Sequence, residues 1–172
     1  ENLNEIESDS LSIISGDLNS PEDLTLLLAT TRERKIDILI NNAGCYIYRD
    51  DFLSITKKEL EETFTVNVIA PVRLSQSVIP GMIERAWGRI INISSISVAH
   101  GGSAATIDYT FSKSALESIT RSLAKTYAEH NILINAIRVG VADTKIHLLN
   151  PQKDLTARVD RIPLGRAAMP QE

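Results

Sequence analysis

A tyrosine and a lysine four residues apart, Tyr109 and Lys113, could exchange a proton with a bound ligand. On a helix they would lie about 6 Å apart along the axis, on the same face. A free phenol has a pKa of about 10, roughly three units too high for a base at neutral pH. At an effective dielectric constant of 20, an ammonium about 5 Å away would lower that pKa by about two units. Taken alone, Tyr-x-x-x-Lys is a weak motif, and a surface pair is the simpler interpretation.

The elements that must position this pair follow from the hydrophobic pattern. Short segments rich in Ile and Leu are nearly continuously apolar, which is typical of parallel strands covered on both faces. They predict four strands: Leu11–Ser15, Ile36–Asn41, Arg89–Ser94 and Ile132–Arg138. Because helical patterns separate these segments, the chain is predicted to form one α/β domain over residues 1–172. Its parallel sheet is expected to be doubly wound, with helices on both faces.

Three helices are predicted between the strands. Ser20 as N-cap and Pro21 as first helical residue open a helix that runs to about Lys35. A second stretch extends from Thr56 towards Arg85, with a bend or break near Asn67 and before Pro71. The third runs from about Tyr109 to His130. One stripe of this helix is expected to pair subunits: Ala115, Ile119, Leu123 and Tyr127.

Ligands of such sheets bind beyond the carboxyl ends of the strands, so the residues that follow the strands are candidate site residues. In chain order they are Gly16-Asp17, the small-residue turn Asn41-Asn42-Ala43-Gly44, the pair Ser94-Ser95, and Val139-Gly140 followed by Thr144. Each has a structural alternative, since Asp17 suits a turn and the serines suit helix caps. Tyr109 opens the third helix at the same predicted edge.

In combination and in this order, these features resemble the short-chain dehydrogenase/reductase family, in particular its 3-oxoacyl-ACP reductase-like members. The resemblance runs from about Leu11 to Glu172. It rests on Asp17, NNAG at 41–44, Asn67 within TVNVIAP, GRIINISS at 88–95, YTFSK at 109–113, NAIRVGVADT at 135–144 and RIPLGRAAMPQE at 161–172. It implies a Rossmann-like fold and an NAD(P)-dependent oxidoreductase that interconverts a secondary alcohol and a ketone by hydride transfer.

The resemblance also implies catalytic roles. Tyr109 corresponds to the proton donor, or to the base when an alcohol is oxidised. Lys113 corresponds to the lysine that binds the nicotinamide ribose. Ser95 corresponds to the serine that hydrogen-bonds the substrate oxygen, with Ser94 as the competing choice. Asn67 corresponds to the asparagine that holds a water between the lysine and solvent.

A second set of residues is implied to contact the cofactor, which is NAD or NADP. From the adenine to the nicotinamide end, they are Asp17, Leu18, Asn42, Ala43, Gly44, Tyr109, Lys113, Gly140, Ala142 and Thr144. Ala142 and Thr144 would bond the carboxamide. Val139 stands where the family usually has a proline.

The family's glycine-rich phosphate-binding loop has no match here, because the sequence contains no G-x-x-x-G-x-G. The match begins at the family's third strand and stops before its last, so the domain is expected to be incomplete at both ends. These residues alone are expected to bind NAD(P) weakly or not at all. The alternative is a truncated, non-catalytic remnant that acts through subunit association. Retention of Asn67, Ser95, Tyr109 and Lys113 together favours the enzyme, expected as a homodimer or homotetramer.

Composition excludes several other classes of protein. The 172 residues are 43% hydrophobic and carry a net charge of −4 without a basic cluster, which argues against nucleic acid as a partner. No apolar run reaches about 18 residues, so no membrane association is predicted. Cys45 cannot form an internal disulfide, and His100, His130 and His147 lack metal-ligand spacing, so no metal site is predicted. A cytoplasmic protein is expected.

Overall fold

A three-stranded parallel sheet carries long helices on one of its faces. The computed structural model describes residues 11–49, 51–144 and 155–172. The strands are β1 (Ile38–Asn41), β2 (Gly88–Ser95) and β3 (Ile132–Val139). The helices are α1 (Pro21–Glu33), α2 (Lys57–Phe64), α3 (Ala70–Glu84), α4 (Ser97–His100), α5 (Ile107–Tyr127) and α6 (Thr156–Val159). A π-helical turn spans Thr65–Ile69, and 3₁₀ turns span Phe52–Ser54, Ala104–Thr106 and Ala128–His130.

The strands lie in the order β1-β2-β3, so their carboxyl ends meet at one edge. Asn41 at the end of β1 pairs with Asn92, while β2 and β3 continue together to the pair Ser95 and Val139. The backbone N–H of Ile96 then donates to the carbonyl of Val139 at 2.9 Å. This edge places the residues after the strands side by side.

The predicted starts of the first two helices and the predicted break are confirmed, whereas the third helix begins at Ile107, two residues before its predicted start. The Ser20 hydroxyl accepts a hydrogen bond from the Asp23 backbone N–H at 3.2 Å, and Pro21 follows as the first residue of α1. The second helical stretch divides into α2, the π-helical turn and α3, with Asn67 inside the turn. Pro71 has no N–H to donate to the Asn67 carbonyl four residues earlier, which interrupts the α-helical ladder there.

The hydrophobic core lies between the sheet and the helices α3 and α5. Buried residues from both sides of this layer form it: Val78, Ile79, Met82, Ile90, Ile132 and Ile134. Leu123 and Tyr127 of α5 pack against this cluster. These two members of the predicted subunit-pairing stripe therefore also contribute to the subunit's own core.

Leu11–Ser15 is not a strand, which corrects the prediction of four strands. Leu11, Ile13 and Ile14 are 42%, 53% and 43% exposed. In a doubly wound sheet the strand order is 3-2-1-4-5-6, so two strands separate the third from the fourth. This segment corresponds to the third strand and β1 to the fourth, and the described residues hold no strand that lies between them.

The helices of the core cover one face of the sheet, which corrects the prediction of coverage on both faces. The connections β1 to β2 and β2 to β3 step in the same direction. Because such crossovers are right-handed, α3 and α5 must lie on the same side. Apolar side chains of the opposite face are open, with Ile38 55%, Ile40 57% and Ile137 49% exposed.

No helix among the described residues combines the length and the hydropathy needed to cross a lipid bilayer.

Candidate active site

Tyr109 and Lys113 lie one turn apart at the start of α5. The Lys113 side chain is buried, and its Nζ donates a hydrogen bond to the Ile93 carbonyl of β2 at 2.8 Å. The same Nζ lies 5.7 Å from the centroid of the Tyr109 ring. The helical spacing thus brings the two side chains together, and the strand's backbone holds the ammonium group in place.

The two serines at the end of β2 face opposite ways, because successive strand residues alternate between the faces of a sheet. Ser95 shares a hydrogen bond with the Tyr109 side chain, and its Oγ accepts from the Ser97 backbone N–H at 3.1 Å. Ser94 is buried and donates to Glu117 Oε1 at 2.7 Å. The structure therefore places Ser95, and not Ser94, beside Tyr109.

Asn67 ties the turn after β1 to α5. Its Oδ1 accepts from the Cys45 backbone N–H at 2.7 Å, and its Nδ2 donates to the Cys45 carbonyl and to Ser112 Oγ, both at 2.9 Å. A side chain at Gly44 would meet Lys113 Nζ at 3.6 Å and Asn67 Oδ1 at 3.7 Å. Gly44, Asn67 and Lys113 are therefore direct neighbours, around a π-helical turn of the kind often found at functional sites.

Burial controls the protonation of the tyrosine and the lysine. Burial raises the pKa of Tyr109 above its ordinary 10, with the hydrogen bond from Ser95 acting in the opposite direction. Burial lowers the pKa of Lys113 from 10.5 to about 8. The net shift of the Tyr109 pKa is therefore upward, because burial outweighs the interactions that favour the tyrosinate. At neutral pH Tyr109 is a neutral phenol, which suits it to donate a proton.

The residues expected near the nicotinamide lie on an open surface. Gly140 is exposed, and a Cβ added there would meet no atom within 4 Å. Ala142 forms an isolated parallel bridge with Ala168, and the Asp143 backbone N–H donates to the Ala168 carbonyl at 2.8 Å. Thr144 is exposed.

The residues expected near the adenosine divide into two places. Asn42 and Ala43 are exposed beside Gly44, in the turn after β1. Asp17 and Leu18 precede α1, where an Asp17 carboxylate oxygen accepts from the Asn19 backbone N–H at 2.9 Å. That bond is the turn-forming role given above as the structural alternative for Asp17. The described contacts do not link Asp17 or Leu18 to the cluster of Asn67, Ser95, Tyr109 and Lys113.

Two residues that contact Tyr109 and Ser94, respectively, were missed from the sequence. The Tyr46 ring stands edge-on to the Tyr109 ring, with centroids 5.4 Å apart and planes at 75°. The Glu117 carboxylate accepts hydrogen bonds from Nε and Nη2 of Arg138, both at 2.7 Å. Glu117 follows Lys113 by four residues on α5, as Lys113 follows Tyr109. This spacing is the sequence feature that could have identified Glu117.

The described residues contain no group of three His, Cys, Asp or Glu side chains that could hold a metal ion. Cys45 is a half-buried free thiol whose pKa is raised by burial. His147 lies outside the described residues.

Comparisons with known proteins show which family the chain belongs to. A family model described as short chain dehydrogenase matches residues 1–154. The chain is 38% identical to the 3-oxoacyl-(acyl-carrier-protein) reductase of Aquifex aeolicus over 138 residues, which is 80% of this chain and 54% of the relative. It is 34% identical to the 2-dehydro-3-deoxy-D-gluconate 5-dehydrogenase of Escherichia coli over 164 residues, or 92% of this chain and 64% of the relative.

A solved structure shares the fold. It is a 3-oxoacyl (acyl-carrier-protein) reductase from Agrobacterium tumefaciens with NADP bound, at a TM-score of 0.81 and 28% sequence identity, covering 92% of this chain and 62% of that chain. The chain spans about half the length of the curated relatives it matches. The Rossmann-like fold class is confirmed, and the chain belongs to the short-chain dehydrogenase family.

Proposed function

We propose that the protein is an NAD(P)-dependent oxidoreductase that interconverts a secondary alcohol and a ketone by hydride transfer. One observation carries the proposal. A neutral tyrosine shares a hydrogen bond with Ser95 and lies one helical turn before a buried lysine, at the edge of a parallel sheet where ligands bind. A surface pair would leave the lysine exposed, whereas the Lys113 side chain is 3% exposed.

In this mechanism the nicotinamide, when bound, supplies the hydride in ketone reduction and takes it up in alcohol oxidation. The Tyr109 hydroxyl donates its proton to the carbonyl oxygen as the alcohol forms. The Ser95 hydroxyl hydrogen-bonds the same oxygen and stabilises its developing negative charge. In the reverse direction Tyr109 accepts the proton of the alcohol, which requires the tyrosinate and is therefore favoured at higher pH.

Lys113 and Asn67 would return the proton to Tyr109 from solvent. The side-chain amide of Asn67 is occupied by Cys45 and Ser112. A linking water would therefore donate a hydrogen bond to the Asn67 backbone carbonyl. Pro71, four residues later, has no N–H that could form the α-helical hydrogen bond to this carbonyl. Protonated Lys113 would stabilise the charge that develops on Tyr109, pass a proton towards the tyrosinate, and then regain a proton from that water.

The residues near the sheet edge fit a nicotinamide cofactor. An ammonium group has three donors, and the described contacts of Lys113 use one of them on Ile93, which leaves donors for ribose hydroxyls. The absence of a side chain at Gly44 keeps the approach to that group open. The remaining contacts would come from Asp17, Leu18, Asn42, Ala43, Gly140, Ala142 and Thr144.

The substrate is proposed only as an alcohol/ketone pair. The names of the relatives describe a 3-oxoacyl reductase and a 2-dehydro-3-deoxy-D-gluconate 5-dehydrogenase, and what these activities share is a carbonyl-alcohol interconversion.

Subunits are proposed to associate as a homodimer or homotetramer through α2 and α5. Phe111 and Leu60 are 57% and 40% exposed, and the Phe111 ring lies 5.4 Å from that of Phe64. An apolar surface of this kind is typical of protein interfaces.

The experiment measures oxidation of NADH or NADPH by absorbance when the full-length protein is incubated with each of a panel of ketones. Tyr109→Phe removes the proposed proton donor but keeps the ring, so turnover should fall by at least about 10²-fold while folding survives. Tyr127→Phe on the same helix is the matched control and should retain turnover. Near-normal turnover of Tyr109→Phe would refute the assignment. An inactive wild type that still forms oligomers would favour the association role instead.

A further inference from the structure

A buried ion pair joins the segment after the Gly44 turn to the start of α5. Arg49 Nη1 lies 3.0 Å from Asp108 Oδ1, and the two side chains are 4% and 1% exposed. Thr63 at the end of α2 donates a hydrogen bond to Asp108 Oδ2 at 2.9 Å. On the outer side, Glu59 Oε2 lies 3.3 Å from Arg49 Nε.

A contribution to stability does not by itself explain the presence of such a buried ion pair. Removing two charges from water is costly, and replacing a buried ion pair by apolar residues is often neutral or stabilising. What the pair does provide is a defined position, because displacing either partner leaves an uncompensated buried charge.

The two chain segments that it joins both carry an aromatic residue of the site. Tyr109 follows Asp108 directly, and Tyr46 lies three residues before Arg49. These two rings are the ones in edge-to-face contact, at 5.4 Å between centroids. Residues 42–49 form no helix or strand, so their place over α5 depends on side-chain contacts of this kind.

We propose that the Arg49–Asp108 ion pair is a positioning element of the active site, which clamps the segment 45–49 onto the first turn of α5 and sets Tyr46 against Tyr109. Arg49 and Asp108 touch no reacting atom in this view. They act through the two tyrosines, of which Tyr46 forms one wall beside the proton donor. The inference rests on the proposed function for its effect on turnover.

A different role for Arg49, as a binding site for an anionic substrate group, is not supported. Its guanidinium is buried, and two carboxylates, those of Asp108 and Glu59, already face it. The local charge is therefore negative, which disfavours a carboxylate or a phosphate.

The test replaces the pair by apolar residues in the full-length protein, as Arg49→Met together with Asp108→Leu. The double variant should be folded, with a melting temperature above that of either single variant. Its kcat should fall about tenfold with KM within about threefold of wild type, since misplacement of the proton donor affects the chemical step most. The nuclear Overhauser effect between the Tyr46 and Tyr109 rings should disappear.

A matched control removes the Arg85–Asp37 pair, which lies away from the site at 3.2 Å and is partly exposed. Arg85→Met with Asp37→Leu should leave kcat and the ring contact unchanged. A folded Arg49→Met/Asp108→Leu protein whose kcat stays within twofold of wild type, or whose ring contact persists, would overturn the proposal.

Two further outcomes are decided by the same measurements. If the double variant does not fold, Thr63→Val removes only the hydrogen bond to Asp108 and should weaken the ring contact and lower kcat severalfold; no change in either would refute the positioning role. If the wild type shows no oxidoreductase activity, the proposed function fails. The ring contact in the variants then still decides whether the ion pair positions Tyr46 and Tyr109.

Discussion

The proposed proton-transfer cluster and the proposed cofactor-side surface lie at the same edge of the sheet, but they differ in burial. The cluster consists of Asn67, Ser95, Tyr109 and Lys113, and two of its members, Asn67 and Lys113, are 0% and 3% exposed. The cofactor-side surface consists of Asn42, Ala43, Gly140 and Thr144, all exposed.

This contrast has a consequence for how each region responds to mutation. The cluster is part of the packed interior, so its geometry exists before any ligand binds and its variants should change stability as well as turnover. The cofactor-side surface is exposed to solvent, so its variants should change ligand affinity and leave stability nearly untouched.

The largest effect is expected from Lys113→Met. Turnover should fall by at least about 10²-fold and cofactor binding should weaken, because the ammonium group near Tyr109 is lost. The stability of the variant, in contrast, should be higher than that of the wild type. The folded-state pKa of about 8 lies below the ordinary 10.5, so at pH 7 the folded protein carries a buried charge that costs about 3 kcal/mol, which methionine avoids.

The pH dependence of the stability gained in Lys113→Met follows from the lowered pKa of Lys113. Between pH 8 and 10.5 the folded wild type releases the proton while the unfolded chain keeps it, so wild-type stability rises with pH in that window. The advantage of Lys113→Met should therefore shrink from pH 7 to pH 10 in denaturant unfolding. Lys125→Met, at an exposed position on the same helix, is the control. A variant no more stable than wild type at pH 7 would show that burial of the charge is not costly.

A smaller effect is expected from Ser95→Ala, with Ser94→Ala as its matched control. Ser95→Ala should lower turnover by about tenfold to a hundredfold, because one donor to the substrate oxygen is lost. The Ser95 hydrogen bond lowers the pKa of Tyr109, so its loss should raise that pKa and move the onset of alcohol oxidation to higher pH.

Ser94→Ala should instead reduce stability by about 1 to 2 kcal/mol, since the Glu117 carboxylate loses a buried donor, and should leave turnover within about threefold. A pH–rate profile and an unfolding curve for both variants provide the measurement. If the two serines exchanged these effects, Ser94 would be the substrate contact.

The smallest effect is expected from Thr144→Ala on the cofactor-side surface. The KM for NAD(P) should rise severalfold, while the free energy of unfolding stays within about 0.5 kcal/mol of wild type. Thr126→Ala, also exposed, should change neither quantity. If Thr144→Ala lost as much stability as Ser94→Ala, the expectation that variants of the exposed surface leave stability nearly unchanged would be wrong.

Much of the fold could be predicted from the sequence because the signals are local. Ser20 and Pro21 mark the start of α1, and Pro71 interrupts the helix near Asn67, through backbone chemistry that acts within a few residues. The strand at Leu11–Ser15 was predicted on the same kind of signal and does not form. A strand needs a neighbour, and the apolar pattern of one segment carries no information on where its neighbour lies.

The candidate site divides in the same way. The four-residue spacing of Tyr109 and Lys113 could be interpreted from the sequence, because helical geometry converts this spacing into a common face. The contact of Tyr46 with Tyr109 and the Arg49–Asp108 pair were not, since they join segments about sixty residues apart through side chains alone.

By itself, the sequence determined the parallel α/β class, the starts of α1 and α2, and the residue types available for proton transfer, all of which depend on short-range spacing. Only the tertiary structure decided which serine of β2 faces Tyr109, which face of the sheet is covered, and in which direction the pKa values of Tyr109 and Lys113 move. These properties depend on burial, and burial is determined by residues distant in the chain that pack together in space.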